Sequence, residues 1–319
     1  MRKSTIKNDI LRALASGELV SGGLIASKLG VSRTAVWKEI NSLRAEGYFI
    51  SGLGGGYMLT PNNTRLCGEQ LRFTTGENVV FFDKTVSTNE EIKLIAESGE
   101  EFTVAVAREQ TGGKGRMGRK FESPVGGLYF SVLLKPRFSA ETCLKITTAA
   151  AVAMARAIEK VCGKSAEIKW VNDIYIKQKK VCGILTEGVF DAENGHIKYA
   201  VLGVGVNVAT PKGGFPEEIR ETAGALFNTS TPPALIYCAL FGEFMKFFKE
   251  YYTDIAAMPH LEEYRRRSML AGRTVTYKRD GKSRTATVCG IGDNAELLVK
   301  EKGKTTTLKS GEVSIEKYE

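Results

Sequence analysis

The chain has 319 residues, 43% of them hydrophobic and 25% charged, which is typical of a globular protein with a buried core. Its two histidines argue against a histidine-based metal cluster or a Ser-His-Asp triad, and its six cysteines include no C-x2-C pair, so we expect reduced, buried thiols. The net charge of +9 favours anionic partners but does not distinguish nucleic acid from a nucleotide or an acidic protein.

The N-terminal segment and the longest apolar run argue against export and membrane insertion. Asp9 and Arg12 lie where a signal peptide needs an unbroken apolar stretch. The run 146–158 is interrupted by Arg156 and is shorter than the roughly 20 residues that span a bilayer. We therefore expect a cytoplasmic protein.

Residues 1–63 show the pattern of a winged helix-turn-helix DNA-binding domain. Segments with helical spacing flank a turn at Gly30 and precede a glycine-rich hairpin at 48–60, which is typical of a wing. Ser32 is a natural N-cap for the last of these helices. Its first turns carry four residues at positions where a recognition helix contacts bases and phosphates, namely Arg33, Thr34, Trp37 and Lys38.

The same helix has a stripe suited to burial, formed by Val36, Ile40 and Leu43, and is predicted to end at Gly47. A small helical protein-interaction module with solvated basic residues is the alternative interpretation. Eight Lys and Arg against four Asp and Glu through residue 60 favour DNA.

Two further modules follow, which makes the predicted fold class α+β multidomain. Residues 64–270 alternate strand and helix patterns and predict a central mixed α/β domain. Residues 271–319 contain short strands separated by turn signals, as in a small β-barrel.

The segment 112–120, GGKGRMGRK, combines four glycines with four cations in nine residues. It lies between two predicted strands, so it matches neither the P-loop nor the dinucleotide-binding pattern, both of which open a helix. Glycines allow backbone N–H groups to approach an anion, and Lys114, Arg116, Arg119 and Lys120 add charge-assisted donors for phosphate or carboxylate. A solvated, disordered basic loop is the alternative.

The second candidate stretch is 169–188, KWVNDIYIKQKKVCGILTEG. Asn172 and Asp173 stand between two short strands, either as a simple turn or as a place where one carboxylate holds Mg²⁺ beside phosphates. Lys180 begins the next strand, either as a solvated surface cation or as a clamp on an anionic transition state.

Two further stretches give weaker signals. Thr88-x-x-Glu91 predicts a capping box, with Gly99 after the helix, so a structural role is the default for Ser87 and Thr88. In LGVGVNV, Gly203 and Gly205 fall inside a strand, where glycine marks a close approach of backbone or ligand.

Taken in order, these stretches resemble the biotin protein ligases. The matching motifs are S-T-N, Q-x-x-G-K-G-R-x-G-R-x-F-x-S-P, K-W-x-N-D, K-x-x-G-I-L-x-E and G-x-G-x-N. Because a winged helix-turn-helix pattern precedes them, nearly the whole chain resembles the bifunctional ligases that also repress the biotin operon.

The resemblance implies a fold, substrates and partners. It implies a class II synthetase-like catalytic domain and an SH3-like C-terminal barrel. The implied enzyme is a biotin–[acetyl-CoA-carboxylase] ligase, which uses biotin, ATP and Mg²⁺ to form biotinyl-5′-AMP and then biotinylates one lysine of a biotin carboxyl carrier protein. The implied partners also include operator DNA and a second copy of the chain, as a homodimer when the adenylate is bound.

The resemblance also assigns roles to individual residues. Lys180 lies between the biotin carboxylate and the α-phosphate, Arg116 retains the adenylate, and Asp173 belongs to the metal and phosphate region. Asn207 is on the nucleotide side. The remaining biotin- and ATP-binding positions are Ser87, Thr88, Asn89, Gln110, Gly113, Lys114, Gly115, Arg119, Lys169, Trp170, Asn172, Gly183, Gly203 and Gly205. The segment that covers adenine is left open.

Two departures and two alternatives accompany this interpretation. Val86 stands where the family often has Asp, and Val171 replaces the usual Pro of K-W-P-N-D. One alternative is a biotin-sensing transcription regulator with weak or no ligase activity. The other is a related acyl-adenylate transferase such as a lipoate ligase, although the S-G-G-G-type loop expected there is absent.

Overall fold

Three sheets with their helices make up the chain, one for each predicted module. The computed structural model describes residues 2–60, 65–135, 142–190, 197–279, 282–309 and 314–318. The module boundary predicted between residues 63 and 64 lies outside the described residues.

The N-terminal module contains three helices and a wing. Its elements are α1 (Arg2–Leu14), β1 (Val20–Ser21), α2 (Gly22–Leu29), α3 (Arg33–Ala45), β2 (Ile50–Leu53) and β3 (Gly56–Leu59). The strands form an antiparallel sheet in the order β1-β3-β2. This arrangement confirms the predicted winged helix-turn-helix.

The ends of α3 follow from its sequence. The Ser32 hydroxyl accepts a hydrogen bond from the backbone N–H of Ala35, and Gly47 adopts a left-handed φ of 92° just after the helix. Val36, Ile40 and Leu43 are buried, as their spacing predicts, each contributing about 1.5–3 kcal/mol. The opposite face is thereby left to solvent.

The central module is built on a seven-stranded mixed sheet. Its elements are α4 (Gly68–Thr75), β4 (Val79–Phe82), α5 (Thr88–Ile95), β5 (Val104–Ala107), β6 (Leu128–Leu134), α6 (Thr142–Cys162), β7 (Glu167–Lys169), β8 (Asp173–Ile176), β9 (Lys179–Phe190), β10 (Ile197–Val206), α7 (Ile236–Thr253) and α8 (Leu261–Arg266). The order is β4-β5-β6-β10-β9-β8-β7, and only the β4–β5 pair is parallel.

Helices cover both faces of this sheet. Val104 and Val106 of β5 belong to the main core with α6 and α7, whereas Ala105 packs with Ile92 of α5 in a smaller cluster. Successive strand residues point to opposite faces, so α5 lies across the sheet from α6 and α7. All seven residues of β6 are buried for this reason.

The capping box predicted at the start of α5 is wrong. Ser87 is the N-cap and makes no side-chain capping hydrogen bond, while Glu91 accepts a hydrogen bond from the Thr85 hydroxyl. Gly99 is not in the left-handed region, and the C-cap is Ala96. The Thr88 hydroxyl is instead turned towards Gln110, so tertiary contacts override the local capping preference.

The C-terminal module is a five-stranded antiparallel sheet. Its strands are β11 (Thr274–Arg279), β12 (Lys282–Ile291), β13 (Leu297–Glu301), β14 (Lys304–Leu308) and β15 (Ser314–Tyr318), in the order β14-β13-β12-β11-β15. Its buried residues belong to the same core as the central sheet, and the Trp170 indole N–H donates to the Ala295 carbonyl at 2.9 Å. This module therefore supports the K-W-x-N-D turn.

Two general expectations are also tested by the fold. No helix among the described residues is long and apolar enough to span a membrane. All six cysteines are free. Cys67, Cys182 and Cys238 are buried and Cys143 and Cys162 are half-buried, but Cys289 is exposed, so the expectation of buried thiols is wrong there.

We expect part of the acid sensitivity of this fold to come from His260. It is fully buried, its Nε2 lies 2.9 Å from the Thr148 hydroxyl, and burial lowers its pKa from 6.5 to about 4. Because the folded pKa is below the unfolded one, protonation favours unfolding. The free energy of unfolding should fall between pH 6.5 and 4 by about 3 kcal/mol from this group.

Urea titrations of wild type and His260→Gln at several pH values measure this contribution. The variant should lose less stability over that interval than wild type. Equal losses of unfolding free energy in the two proteins would show that His260 does not contribute to the acid sensitivity.

Candidate active site

The floor of a cavity beside the basic segment lies on a row of cross-strand partners. The row consists of Tyr129, Gly205, Gly183, Asp173 and Lys169, on β6, β10, β9, β8 and β7, and all of them except Tyr129 line the cavity. Direct partners point to the same face, so four predicted site residues from distant parts of the sequence lie side by side. The two glycines place no side chain above the sheet at this point.

An aromatic ring lies over those glycines. A Cβ on Gly205 would come within 2.4 Å of the Phe121 ring, and one on Gly183 within 2.9 Å of it. On the next row of the sheet, a Cβ on Gly203 would come within 2.3 Å of the Asn89 side chain. A side chain at any of these three positions would clash with Phe121 or Asn89, so each position requires glycine.

The basic segment forms a hairpin that borders the cavity. The Gly115 N–H donates to the Arg119 carbonyl at 2.7 Å, and the Phe121 N–H donates to the Gly113 carbonyl at 2.9 Å. At the tip, Met117 and Gly118 have left-handed φ angles of 57° and 72°. Whether the hairpin is ordered without ligand stays a prediction; we expect that it is not.

At the centre of the cavity, a lysine and a carboxylate form an ion pair. Lys180 Nζ lies 2.7 Å from Asp173 Oδ1 and 5.7 Å from the centroid of the Phe121 ring. The Lys180 N–H donates to the Thr222 carbonyl, and its own carbonyl accepts from the Gly224 N–H, both at 2.8 Å. The backbone on both sides of this lysine is thus held in place.

Cations dominate the cavity wall. The described lining residues include one carboxylate, Asp173, against six cationic side chains: Lys114, Arg116, Arg119, Lys120, Lys169 and Lys180. Burial lowers the pKa of Arg116 and of Lys169, and the Asp173 carboxylate acts in the opposite direction in both cases. Such a cavity is suited to an anion that supplies the missing negative charge.

The other end of the cavity is neutral and polar. The Gln110 side-chain oxygen accepts a hydrogen bond from the Thr88 N–H at 2.8 Å and lies 3.1 Å from the Thr88 hydroxyl, while its NH₂ donates to Ser123. Ser131, fully buried beneath, has its Oγ 2.7 Å from the Thr88 hydroxyl and 2.5 Å from Asn89 Oδ1. This end can recognise an uncharged group that both donates and accepts.

Most of the residues singled out in the catalytic domain line this one cavity. The lining includes Ser87, Thr88, Asn89, Gln110, Lys114, Gly115, Arg116, Arg119, Lys169, Trp170, Asn172, Asp173, Lys180, Gly183, Gly203 and Gly205. Their individual roles stay predictions.

Gly113 and Asn207 are not among the lining residues, and each has a structural contact nearby. A Cβ on Gly113 would come within 2.4 Å of the Phe121 carbonyl oxygen, so only glycine fits the base of the hairpin. The Asn207 amide donates to the Gly224 carbonyl at 2.9 Å. It thereby ties the segment left open in the sequence, TAGALFN at 222–228, to the strand beside Lys180.

Several residues at the site were not singled out from the sequence. Phe121 covers the glycine floor, and Ser123 and Ser131 support Gln110 and Thr88. Phe121 and Ser123 do fall inside the basic-loop motif, which was a usable signal. Ser131 sits in an apolar strand, and nothing local distinguishes it.

The fit for a metal ion is limited. Among the residues that the structure describes, no three His, Cys, Asp or Glu side chains are grouped to hold one. The Asp173 carboxylate is paired with Lys180. These residues therefore do not build a resident metal site, and any Mg²⁺ would arrive on the phosphates of a nucleotide substrate.

The residues predicted to contact DNA are accessible to solvent, as DNA binding requires. Arg33, Thr34, Trp37 and Lys38 are all exposed on α3, and the Trp37 side chain is 57% exposed. Lys38 also borders a cleft between this module and the central domain. Their contact with DNA stays a prediction.

Comparison with known proteins agrees with this geometry. Residues 81–207 match the Biotin/lipoate A/B protein ligase family, and residues 6–58 match an HTH domain. The bifunctional ligase/repressor BirA of Bacillus subtilis is 36% identical over 234 residues, covering 70% of this chain and 71% of that protein. The chain belongs to the biotin protein ligase family.

Two further members of the family show how much of the chain the similarity covers. The bifunctional ligase/repressor BirA of Escherichia coli is 27% identical over 331 aligned residues, covering both chains in full. The solved structure of a biotin protein ligase from Aquifex aeolicus in complex with biotin and ATP is 25% identical, with a TM-score of 0.62, covering 75% of this chain and 98% of that one.

Proposed function

We propose that this protein is an ATP-dependent biotin protein ligase that also represses transcription by binding operator DNA. The observation that carries the enzymatic part is the cavity itself: a neutral polar end formed by Thr88 and Gln110 joins a cationic centre at Lys180. Biotin has the same division, with an uncharged ureido ring at one end and a carboxylate at the other. The family membership and the N-terminal HTH module support both activities.

In the first step, two anions must react with each other. A carboxylate oxygen of biotin attacks the α-phosphorus of ATP, the new P–O bond forms as the α–β P–O bond breaks, and pyrophosphate leaves. Lys180 and Arg116 offset the negative charge that gathers at the α-phosphate. Asp173 keeps the Lys180 ammonium in place before substrate binds.

In the second step, the amine of a carrier lysine attacks the acyl carbon of biotinyl-5′-AMP. An amide forms, the amine proton is released and AMP leaves. The basic hairpin has to keep water from the adenylate until the carrier arrives. ATP would bind as its Mg²⁺ complex, with the metal as part of the substrate, and no step is assigned to Asp173 as its ligand.

Several finer assignments belong to the same proposal. The modules are taken as 1–63, 64–270 and 271–319, the catalytic domain as class II synthetase-like and the C-terminal sheet as an SH3-like barrel. The carrier is the biotin carboxyl carrier protein of acetyl-CoA carboxylase or another biotin-dependent carboxylase. The adenylate-bound form is taken to be a homodimer, which suits a two-fold operator.

Incubation with biotin, MgATP and an apo carrier domain tests the enzymatic claim. The carrier should gain the mass of one biotin on one lysine. No gain, with a carrier that an established ligase labels, would favour the biotin-sensing regulator without ligase activity. Competition between biotin and lipoate in the adenylation step tests the lipoate ligase alternative.

For the DNA activity, we expect Arg33→Ala and Lys38→Ala to weaken operator binding, because each removes a cation placed for phosphates or bases on α3. If a residue contacts a phosphate, its loss should reduce the slope of log affinity against log salt by about one unit. Fluorescence anisotropy with operator DNA over a range of salt measures the slope. Lys28→Ala, on α2, is the matched control; a slope unchanged in all variants would contradict the assignment.

A further inference from the structure

Glu187 occupies a position that connects the neutral end of the cavity with the basic hairpin. It lies on β9, its side chain is 29% exposed, and it is not among the residues that line the cavity. One carboxylate oxygen accepts a hydrogen bond from the Asn89 amide at 2.6 Å. The other accepts from Lys93 Nζ at 2.9 Å.

The bond to Asn89 sets the direction of the polar network beneath the cavity. A carboxylate only accepts hydrogen bonds, so the Asn89 NH₂ must face Glu187 and its oxygen must face Ser131. The single Ser131 proton then goes to Asn89, so across the 2.7 Å contact the Thr88 hydroxyl donates to Ser131 and not to Gln110. The lone pairs of the Thr88 oxygen are left to accept from an N–H of a ligand such as a ureido ring.

The bond to Lys93 leads to the hairpin. Lys93 Nζ also lies 3.2 Å from Glu90 Oε1, and that same oxygen lies 2.7 Å from Lys114 Nζ in the basic segment. The pKa of Glu90 is lowered by its hydrogen bond from Lys114 and then by that from Lys93. The pKa of Lys93 is raised despite partial burial, because Glu187 and Glu90 accept its hydrogen bonds.

Lys114 is thus drawn towards α5, and its ammonium is bonded to a helix that also carries Thr88 and Asn89. Each pair in this network is partly exposed and weak by itself. Their effect on the hairpin comes from the shared members, since Glu90 and Lys93 each bond to two partners.

We propose that Glu187 is a positioning residue that fixes the Asn89 amide at the biotin end and, through Lys93 and Glu90, holds Lys114 so that the basic hairpin stays closed over the bound adenylate. This inference rests on the proposed ligase function. The inference gives Lys114 a role in closing the hairpin. If Lys114 instead bound a phosphate directly, its effect on adenylate release would not depend on Glu90. Recognition of biotin and retention of the adenylate are joined by one chain of contacts.

The test follows biotinyl-AMP made from biotin and ATP labelled with ³²P at the α-phosphate on the full-length protein, and measures its rate of release after rapid gel filtration. We expect release to be about threefold to tenfold faster in Glu187→Gln and about twofold to fivefold faster in Glu90→Gln and Lys114→Met. The apparent affinity for biotin should fall only in Glu187→Gln. In 1 M NaCl the differences for Glu90→Gln and Lys114→Met should disappear, because the Debye length is then about 3 Å.

A double-mutant cycle separates the two roles of Lys114. If the pair acts as a closure contact, Glu90→Gln with Lys114→Met releases adenylate no faster than either alone. Independent, multiplied effects would overturn the inference. Glu97→Gln is the matched control. It removes an exposed carboxylate just beyond α5 that pairs with Lys198, and it should release adenylate as wild type does.

The outcome also distinguishes this inference from the proposed function. Wild-type protein that forms no biotinyl-AMP overturns the ligase function and the inference with it. Wild-type protein that forms the adenylate, together with variants that retain it equally long, leaves the ligase function intact and overturns the inference alone. Lys114 is half-exposed and carries no core packing, so Lys114→Met gives this answer even if Glu187→Gln folds poorly.

Discussion

Replacing Lys180 by methionine is expected to slow biotinyl-AMP formation by about a hundredfold to a thousandfold. The variant keeps most of the side-chain volume but removes the ammonium that faces Asp173 in the centre of the cavity. The transition state then loses a cation at the α-phosphate, and the Asp173 carboxylate is left to repel the two anionic substrates. Pyrophosphate release under single-turnover conditions measures this step.

Lys179→Met is the matched control for Lys180. Lys179 is the adjacent residue on β9, but its ammonium donates to backbone carbonyls at 220 and 221 on the protein surface. We expect that variant to form the adenylate at close to the wild-type rate. A fast Lys180→Met enzyme, or a control as slow as Lys180→Met, would contradict the role given to Lys180.

Replacing Arg116 by glycine is expected to turn the enzyme into one that releases its intermediate. Arg116 begins the turn of the hairpin, its guanidinium lies 3.5 Å from Asn172 Oδ1, and burial lowers its pKa. Glycine removes both the cation and the backbone restriction, so the hairpin no longer seals the adenylate. Biotin should then appear on exposed lysines of a bystander protein, at least tenfold more than with wild type.

Met117→Gly separates the loss of charge from the gain of flexibility. Met117 is the next residue, 68% exposed, with a φ of 57° that glycine adopts readily, so its replacement loosens the turn and keeps the Arg116 guanidinium. Much less bystander labelling from Met117→Gly than from Arg116→Gly is the expected result. Equal labelling would assign retention to the backbone, and no bystander labelling from Arg116→Gly would refute its role.

The helix-turn-helix module illustrates how far local sequence reaches. Ser32, Gly47 and the buried spacing of α3 depend on contacts within a few residues, so capping and periodicity locate the helix without knowledge of the rest of the fold. The strands of the central sheet with clear β patterns are located in the same way. By contrast, α4, β4 and α8 were not singled out, because their short sequences carry little periodic signal.

The start of α5 shows where local sequence misleads. Thr88 and Glu91 have capping-box spacing, yet Thr88 bonds to Gln110 and Ser131, and Glu91 bonds to Thr85. The capping box would satisfy two backbone N–H donors, whereas the cavity arrangement satisfies several buried polar groups at once. A residue predicted to bind the ligand thus occupies a position that local rules assign to structure.

The sequence by itself determined the modular order, the DNA-binding helix and, through its motifs, the membership of a ligase family, because these depend on residues close together in the chain. Only the tertiary structure decided which distant residues of the sequence lie next to each other. Gly205, Gly183, Asp173 and Lys169 share one row because of strand register, and Asn89 meets Glu187 across 98 residues of sequence. Register and long-range contacts arise when the whole core packs, so the joining of the biotin end to the basic hairpin has no signature in any single stretch.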